Sequence, residues 1–283
     1  MRLKVNFLKG GVRRFSRKTR RVKKGIEFFV DKRQKFVIGV LILTLGLLYT
    51  EFQFSRFGIL VSLFLAILTD LFLFWALHRD VKDNFSYEIF ILPFFYSLSF
   101  GLFCFLSPNF YSKIALAIVY AFGLYSLYLS QNIFIVSSTR TIALLSGARI
   151  VSFFITLVSF FLLTNVVFTL HLIIFPILFL VLFYTYFLIY HSLWTYTLQK
   201  INKSLLMWVS ALSICIIELA TLLWFWPSKP PIIALFLTGF LYIVIGLSHI
   251  WFEKRFFKGI LWEYAWVGFV VIMVILVFSS WGI

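Results

Sequence analysis

Positions 130–150 read SQNIFIVSSTRTIALLSGARI. This is the longest polar-rich interruption in a chain otherwise made of apolar blocks, and its arginines, Arg140 and Arg149, decide how the middle of the chain is threaded. Four apolar blocks precede it, at 36–50, 58–77, 89–106 and 114–130. Five follow it, at 150–168, 172–190, 205–226, 232–252 and 264–282. A helix that crosses a bilayer needs about 20 apolar residues, within a range of about 17–25. The first block, with 15 residues, crosses only if Tyr49, Phe52 and Phe54 sit at the interface. Residues 150–190 are nearly continuous, so one turn must divide them, and Thr164-Asn165 with Thr169-Leu170-His171 are the candidates.

Composition agrees with lipid as the solvent. Hydrophobic residues make up 62% of the 283 and charged residues 13%, whereas a soluble domain is about half apolar and a quarter charged. The net charge of +16 is mostly a property of one end. Fourteen of the 26 Lys and Arg residues lie within positions 1–35, and the remaining chain carries 12 basic and 8 acidic side chains. That excess suits an anionic lipid surface, worth about 1 kcal/mol per basic residue, and not nucleic acid. In this tail Phe15, Val22, Ile26 and Phe29 share one helical face, the pattern of a helix lying in the interface; a solvated basic tail holding the N-terminus in the cytoplasm is the alternative. No cleavable signal is expected, so the first span would act as an uncleaved anchor.

Charge asymmetry fixes the threading. With the N-terminus inside and nine spans, the inner loops hold Arg79, Lys82, Arg140, Arg149, Lys200, Lys203, Lys254, Arg255 and Lys258, against Arg56, Lys113 and Lys229 outside. This is the positive-inside pattern. The expected fold is therefore all-α: a polytopic transmembrane helical bundle of about nine spans, N-terminus inside and C-terminus outside, in the cytoplasmic membrane. A basic N-terminal segment (1–35) precedes the transmembrane domain (36–283).

Polar residues inside apolar blocks are costly, and they supply the candidate sites. Asp70 shares a face with Ser62, Ala66 and Thr69, small and polar residues that suit contact with other helices. An Asp at mid-bilayer costs about 2.5–3.5 kcal/mol on insertion scales. Arg149, at the inner mouth of the fifth span, could pair with it or serve as an interfacial anchor. Glu218 lies on a stripe with Ala211 and Cys215 and has no cation at its depth. His249 shares a face with Gly239, Tyr242 and Gly246, where the glycines allow close helix approach. Tyr186, Tyr190, His191, Trp194 and Tyr196 read as an aromatic belt at the inner interface. Cys104 and Cys215 read as small core residues.

Residues 139–148 form either a short surface helix or the start of the fifth span, capped by Ser137-Ser138-Thr139. In a continuous helix Arg140 and Arg149 face opposite ways; in a broken one they could hold a lipid phosphate near a helix N-terminus. Nucleotide-binding, zinc-protease and serine-hydrolase signatures are absent, and the four histidines are scattered. No catalytic residue, metal or cofactor is expected.

The run Asn132 to Leu145, entering an apolar block, resembles a segment of uncharacterised bacterial polytopic membrane proteins grouped as a domain of unknown function. The resemblance covers about 30 residues and the general span layout. It implies a bacterial cytoplasmic-membrane protein and carries over no activity. Two functions stay open from the sequence. One is a non-enzymatic transporter-like or assembly component, in which Asp70 and Glu218 face a shared cavity. The other is an enzyme or binder acting on a phosphate-bearing lipid at the inner face, with Asp70, Arg140 and Arg149 converging.

Overall fold

The computed structural model describes residues 32–53, 58–83, 86–107, 109–137, 144–198, 203–254 and 258–279. The basic tail and Arg140 lie outside them, so the interfacial-helix reading and the Arg140–Arg149 pairing fall on residues not described. Among the described residues there are nine helices: α1 Lys32–Gln53, α2 Gly58–Asp83, α3 Glu88–Leu106, α4 Phe110–Ser137, α5 Leu145–Thr169, α6 Ile174–Thr197, α7 Lys203–Trp224, α8 Pro230–Phe252 and α9 Lys258–Phe278. All nine are long and apolar enough to cross a membrane.

Helix ends do not coincide with the ends of apolar blocks. Inside lipid every backbone N–H and C=O must be paired within the chain, so a helix continues until water can take over its terminal groups. α1 is already helical at Lys32, and its 22 described residues remove the difficulty of a short first span. α4 runs to Ser137 and α5 starts at Leu145, so both ends of the 130–150 stretch are transmembrane helix. Residues 145–148 belong to the fifth span, and residues 139–143 lie outside the described residues. The turn after α5 is displaced too. Thr164 and Asn165 are helical and buried, because neighbouring groups satisfy them: the Thr164 hydroxyl pairs with Tyr184 at 2.8 Å, and Asn165 O accepts from Thr169 Oγ1 at 2.7 Å. The chain reverses at Leu170–Ile173, where His171 adopts φ 47°.

Consecutive helices reverse direction. Lys35, early in α1, sits over the Trp75 ring late in α2 at 4.9 Å, and Arg149 of α5 reaches the last turn of α6. One end of the bundle therefore gathers Lys32, Arg33, Lys35, Arg149, Lys203, Lys254 and Lys258, while Lys113 and Lys229 lie at the other. The first is called the basic end below. α5 and α6 form the centre. α5 packs on α3, α4, α6 and α8, and α6 packs on α3, α5, α7 and α8. α9 lies at the edge against α8. The glycines of α8 make that contact possible, since a Cβ on Gly239 would strike Val271 and one on Gly246 would strike the Tyr264 hydroxyl.

Candidate functional site

Two polar constructions cross the bundle. The first ties α2, α3 and α4 together. The Ser62–Ala66–Thr69 stripe of α2 is buried, as its small residues suggest. Thr69 Oγ1 meets Ser97 Oγ at 2.7 Å, and Ser97 Oγ meets the Tyr120 hydroxyl at 2.7 Å. Tyr128 donates to Thr69 O at 2.9 Å, and Tyr96 donates to Tyr120 O at 3.1 Å. Gly123 is required here, because a Cβ would collide with the Tyr96 hydroxyl. Asp70 lies at the edge of this ladder, and its Oδ1 is buried without a hydrogen-bond partner among the described residues.

The second construction surrounds the last two turns of α6 at the basic end. Tyr190, His191, Ser192, Trp194 and Thr195 are all buried. They are not an interfacial belt. Amphipathic aromatics suit a wet interface or a buried polar contact equally, and here four other helices supply partners. On one side the Tyr190 hydroxyl donates to Glu88 Oε1 at 3.1 Å and meets the Tyr87 hydroxyl at 3.2 Å. Tyr87 is 46% exposed and Glu88 only 4%, so three groups lead from the surface to an interior carboxyl. Glu88 opens α3, where the positive end of the helix dipole favours a carboxylate.

One residue further along α6, the Gln131 amide meets His191 Nε2 at 3.3 Å, with both side chains fully buried. An amide nitrogen only donates, so Nε2 accepts and the ring proton sits on Nδ1. Among the described residues His191 Nδ1 and Gln131 Oε1 then have no partner, and neither does the neighbouring Asn132 Oδ1. Exchanging the two ends of the amide would invert both roles and leave the same open donor and acceptor. A buried polar group left unpaired costs about 1–3 kcal/mol.

The other side of α6 holds Arg149. Its Nε donates to Thr195 O at 3.1 Å and its Nη2 to Tyr196 O at 3.2 Å. These carbonyls end α6, where a cation is favoured. The guanidinium also lies 4.5 Å from the Tyr196 ring centroid, and Tyr196 stacks on His249 at 3.8 Å. Ser192 Oγ meets His249 Nε2 at 3.2 Å.

The structure thus joins Arg149 to His249 through Tyr196, and engages Arg149 with α6 and not with Asp70. Glu218 stands apart, exposed on the outer face of α7, and so does Cys215, which is no core residue. Asp70 lies on α2 and Glu218 on α7, and none of the pockets among the described residues is lined by both. An apolar groove of about 570 Å³ runs between α3, α4 and α5, lined by Tyr96, Gly123, Ile150, Phe154 and Val158 among others. Among the described residues no His, Cys, Asp and Glu side chains cluster as metal ligands. Glu88, Gln131 and His191 were not singled out by sequence as a site. Glu88 borders a charged loop and looks solvated, although it directly precedes an apolar block.

No curated protein and no solved structure matches the chain. Residues 37–278 match a family described as "Protein of unknown function (DUF5656)", a range that takes in α2 to α9 and nearly all of α1; the chain belongs to that family.

Proposed function

We propose that this chain is a non-enzymatic, transporter-like protein of the bacterial cytoplasmic membrane, with its basic end toward the cytoplasm, and that it moves protons through the polar nest at the end of α6. One observation carries the reading. The exposed Tyr87 hydroxyl leads through Tyr190 to buried Glu88, next to the open His191–Gln131 pair. Hydroxyls both accept and donate, so such a chain can pass a proton inward. Gln131 Oε1 and His191 Nδ1, an acceptor and a donor without partners among the described residues, are the groups that such a path would use next. Intramembrane ionisable groups mark proton and ion paths. Orientation follows from the positive-inside rule.

The test uses liposomes with a trapped pH dye and a potassium gradient opened by valinomycin. Vesicles holding the protein should acidify at least tenfold faster than empty ones. Glu88→Gln should remove about nine-tenths of that excess, a change of about 1.4 kcal/mol in the barrier. Protein-containing vesicles that acidify no faster than empty ones would sink the reading.

A second reading keeps a phosphate-bearing lipid at the basic end. The groove beside α5 favours it, since its lining starts at Ile150, the residue after Arg149. A phospholipid retained by wild-type protein and lost from Arg149→Ala, seen by native mass spectrometry, would support it.

A further inference from the structure

The outer face of α7 carries a feature that lipid does not accommodate well. Trp208, Ala211, Cys215, Glu218 and Leu222 recur at spacings of 3, 4, 3 and 4, and all are exposed. That is the 3.5-residue period of a seam between two helices wound about each other. Glu218 lies six residues before the end of α7 at Trp224, about 9 Å along the axis, and therefore within the hydrocarbon. Among the described residues it has no hydrogen-bond or ion-pair partner. Ala211 and Cys215, one and two turns away on the same stripe, are small enough for a second backbone to come close.

The contrast with α9 is informative. That helix is also widely exposed, but its one acidic residue, Glu263, lies five residues from its start at Lys258 on the basic end. Its outward face beyond that point is apolar. Such a face suits lipid. A carboxyl in hydrocarbon is costly and is normally turned toward protein.

We infer that α7 is the interface of a parallel, two-fold homodimer in which Glu218 of each copy hydrogen-bonds to Glu218 of the other. The occupant follows from the chemistry of the group. A protonated carboxyl has one donor and one strong acceptor, so two of them satisfy each other completely across a two-fold axis. A two-fold interface places the same patch on both subunits. In a parallel pair the Glu218 side chains come to the same depth, and so do the two Cys215 thiols. A cationic partner protein would also satisfy Glu218, but nothing else on this face is polar enough to recognise one.

Cys215 provides the test on the full-length protein in its native membrane. Copper phenanthroline and oxygen oxidise two facing thiols to a disulfide. The second thiol, Cys104, is fully buried, and Cys104→Ala removes it from consideration. Treated membranes should show a band at twice the chain's mass that vanishes in Cys215→Ser. Glu218→Leu, which suits a lipid-facing position and leaves the fold intact, should cut the cross-linked fraction at least tenfold, while Glu218→Gln, which keeps a donor and an acceptor, should retain most of it. Absence of a Cys215 dimer overturns the inference. So does undiminished cross-linking in Glu218→Leu, or a Cys215 adduct of any other mass, which would assign the face to a different protein. Photobleaching of dye-labelled single molecules gives an independent count, with two steps expected for wild type and one for Glu218→Leu.

Discussion

The ladder through α2, α3 and α4 and the nest around the end of α6 use similar side chains to different ends. In the ladder, Thr69, Ser97, Tyr120 and Tyr128 spend their hydroxyls on each other or on backbone carbonyls within the chain. In the nest, Gln131 and His191 make one bond between them and leave a donor and an acceptor open. A closed polar network in lipid is a way to fix helix positions, because the alternative for each group is hydrocarbon. An open one costs stability at every unpaired atom and persists only where something else makes use of it. Asp70, whose buried Oδ1 has no partner among the described residues, is the open atom at the ladder's edge; the proposed proton path uses the nest.

The ladder should be the more fragile under substitution. Gly123→Ala gives the largest expected effect. Alanine normally stabilises a helix over glycine by about 1 kcal/mol. Here the new Cβ meets the Tyr96 hydroxyl, which is fixed by two carbonyls of α4 and by its ring stacked on Tyr120 at 5.5 Å. Overpacking and a lost bond together should cost about 3 kcal/mol, read as a fall in melting temperature in detergent. A stabilised variant would mean that the ladder yields easily. Ser97→Ala comes next, at about 2 kcal/mol, since it strands the Tyr120 hydroxyl in a dry interior. A loss within error would show that the ladder does not hold these helices.

That the described residues form nine helices long and apolar enough to cross a membrane was readable from block lengths, because lipid sets the length of every span. So was the α2 face around Thr69, since small and polar residues in one stripe have few uses other than helix contact. Helix ends were not readable. α1 is already helical at Lys32, four residues before its apolar block, because helix continues into the region where water is available. The nest was hidden for a different reason. Tyr190, His191 and Trp194 at a span end suit either an aromatic belt or a buried network, and only the approach of α3 and α4 separates the two. The outward position of Glu218 and Cys215 was hidden too. A bundle interior and a lipid-facing surface draw on the same apolar residues, so a stripe of small ones does not reveal which way it points.

The smallest expected effect is the most discriminating, because its sign should oppose that of the ladder. Gln131→Leu with His191→Leu replaces an incompletely bonded pair by two apolar side chains of comparable bulk. Removing both partners of a buried hydrogen bond is close to neutral or stabilising, and here two open atoms disappear with them, so the double variant should gain about 0.5–1 kcal/mol. Either single variant strands the other residue and should lose about 1–2 kcal/mol. The double-mutant cycle therefore has a large coupling term. Acidification of the liposomes should be lost in the double variant even as its melting temperature rises, which separates the contribution of the pair to function from its contribution to the fold. If the double variant were instead as unstable as Ser97→Ala, the pair would belong with the ladder as structural packing, and the proton path would have to run without it.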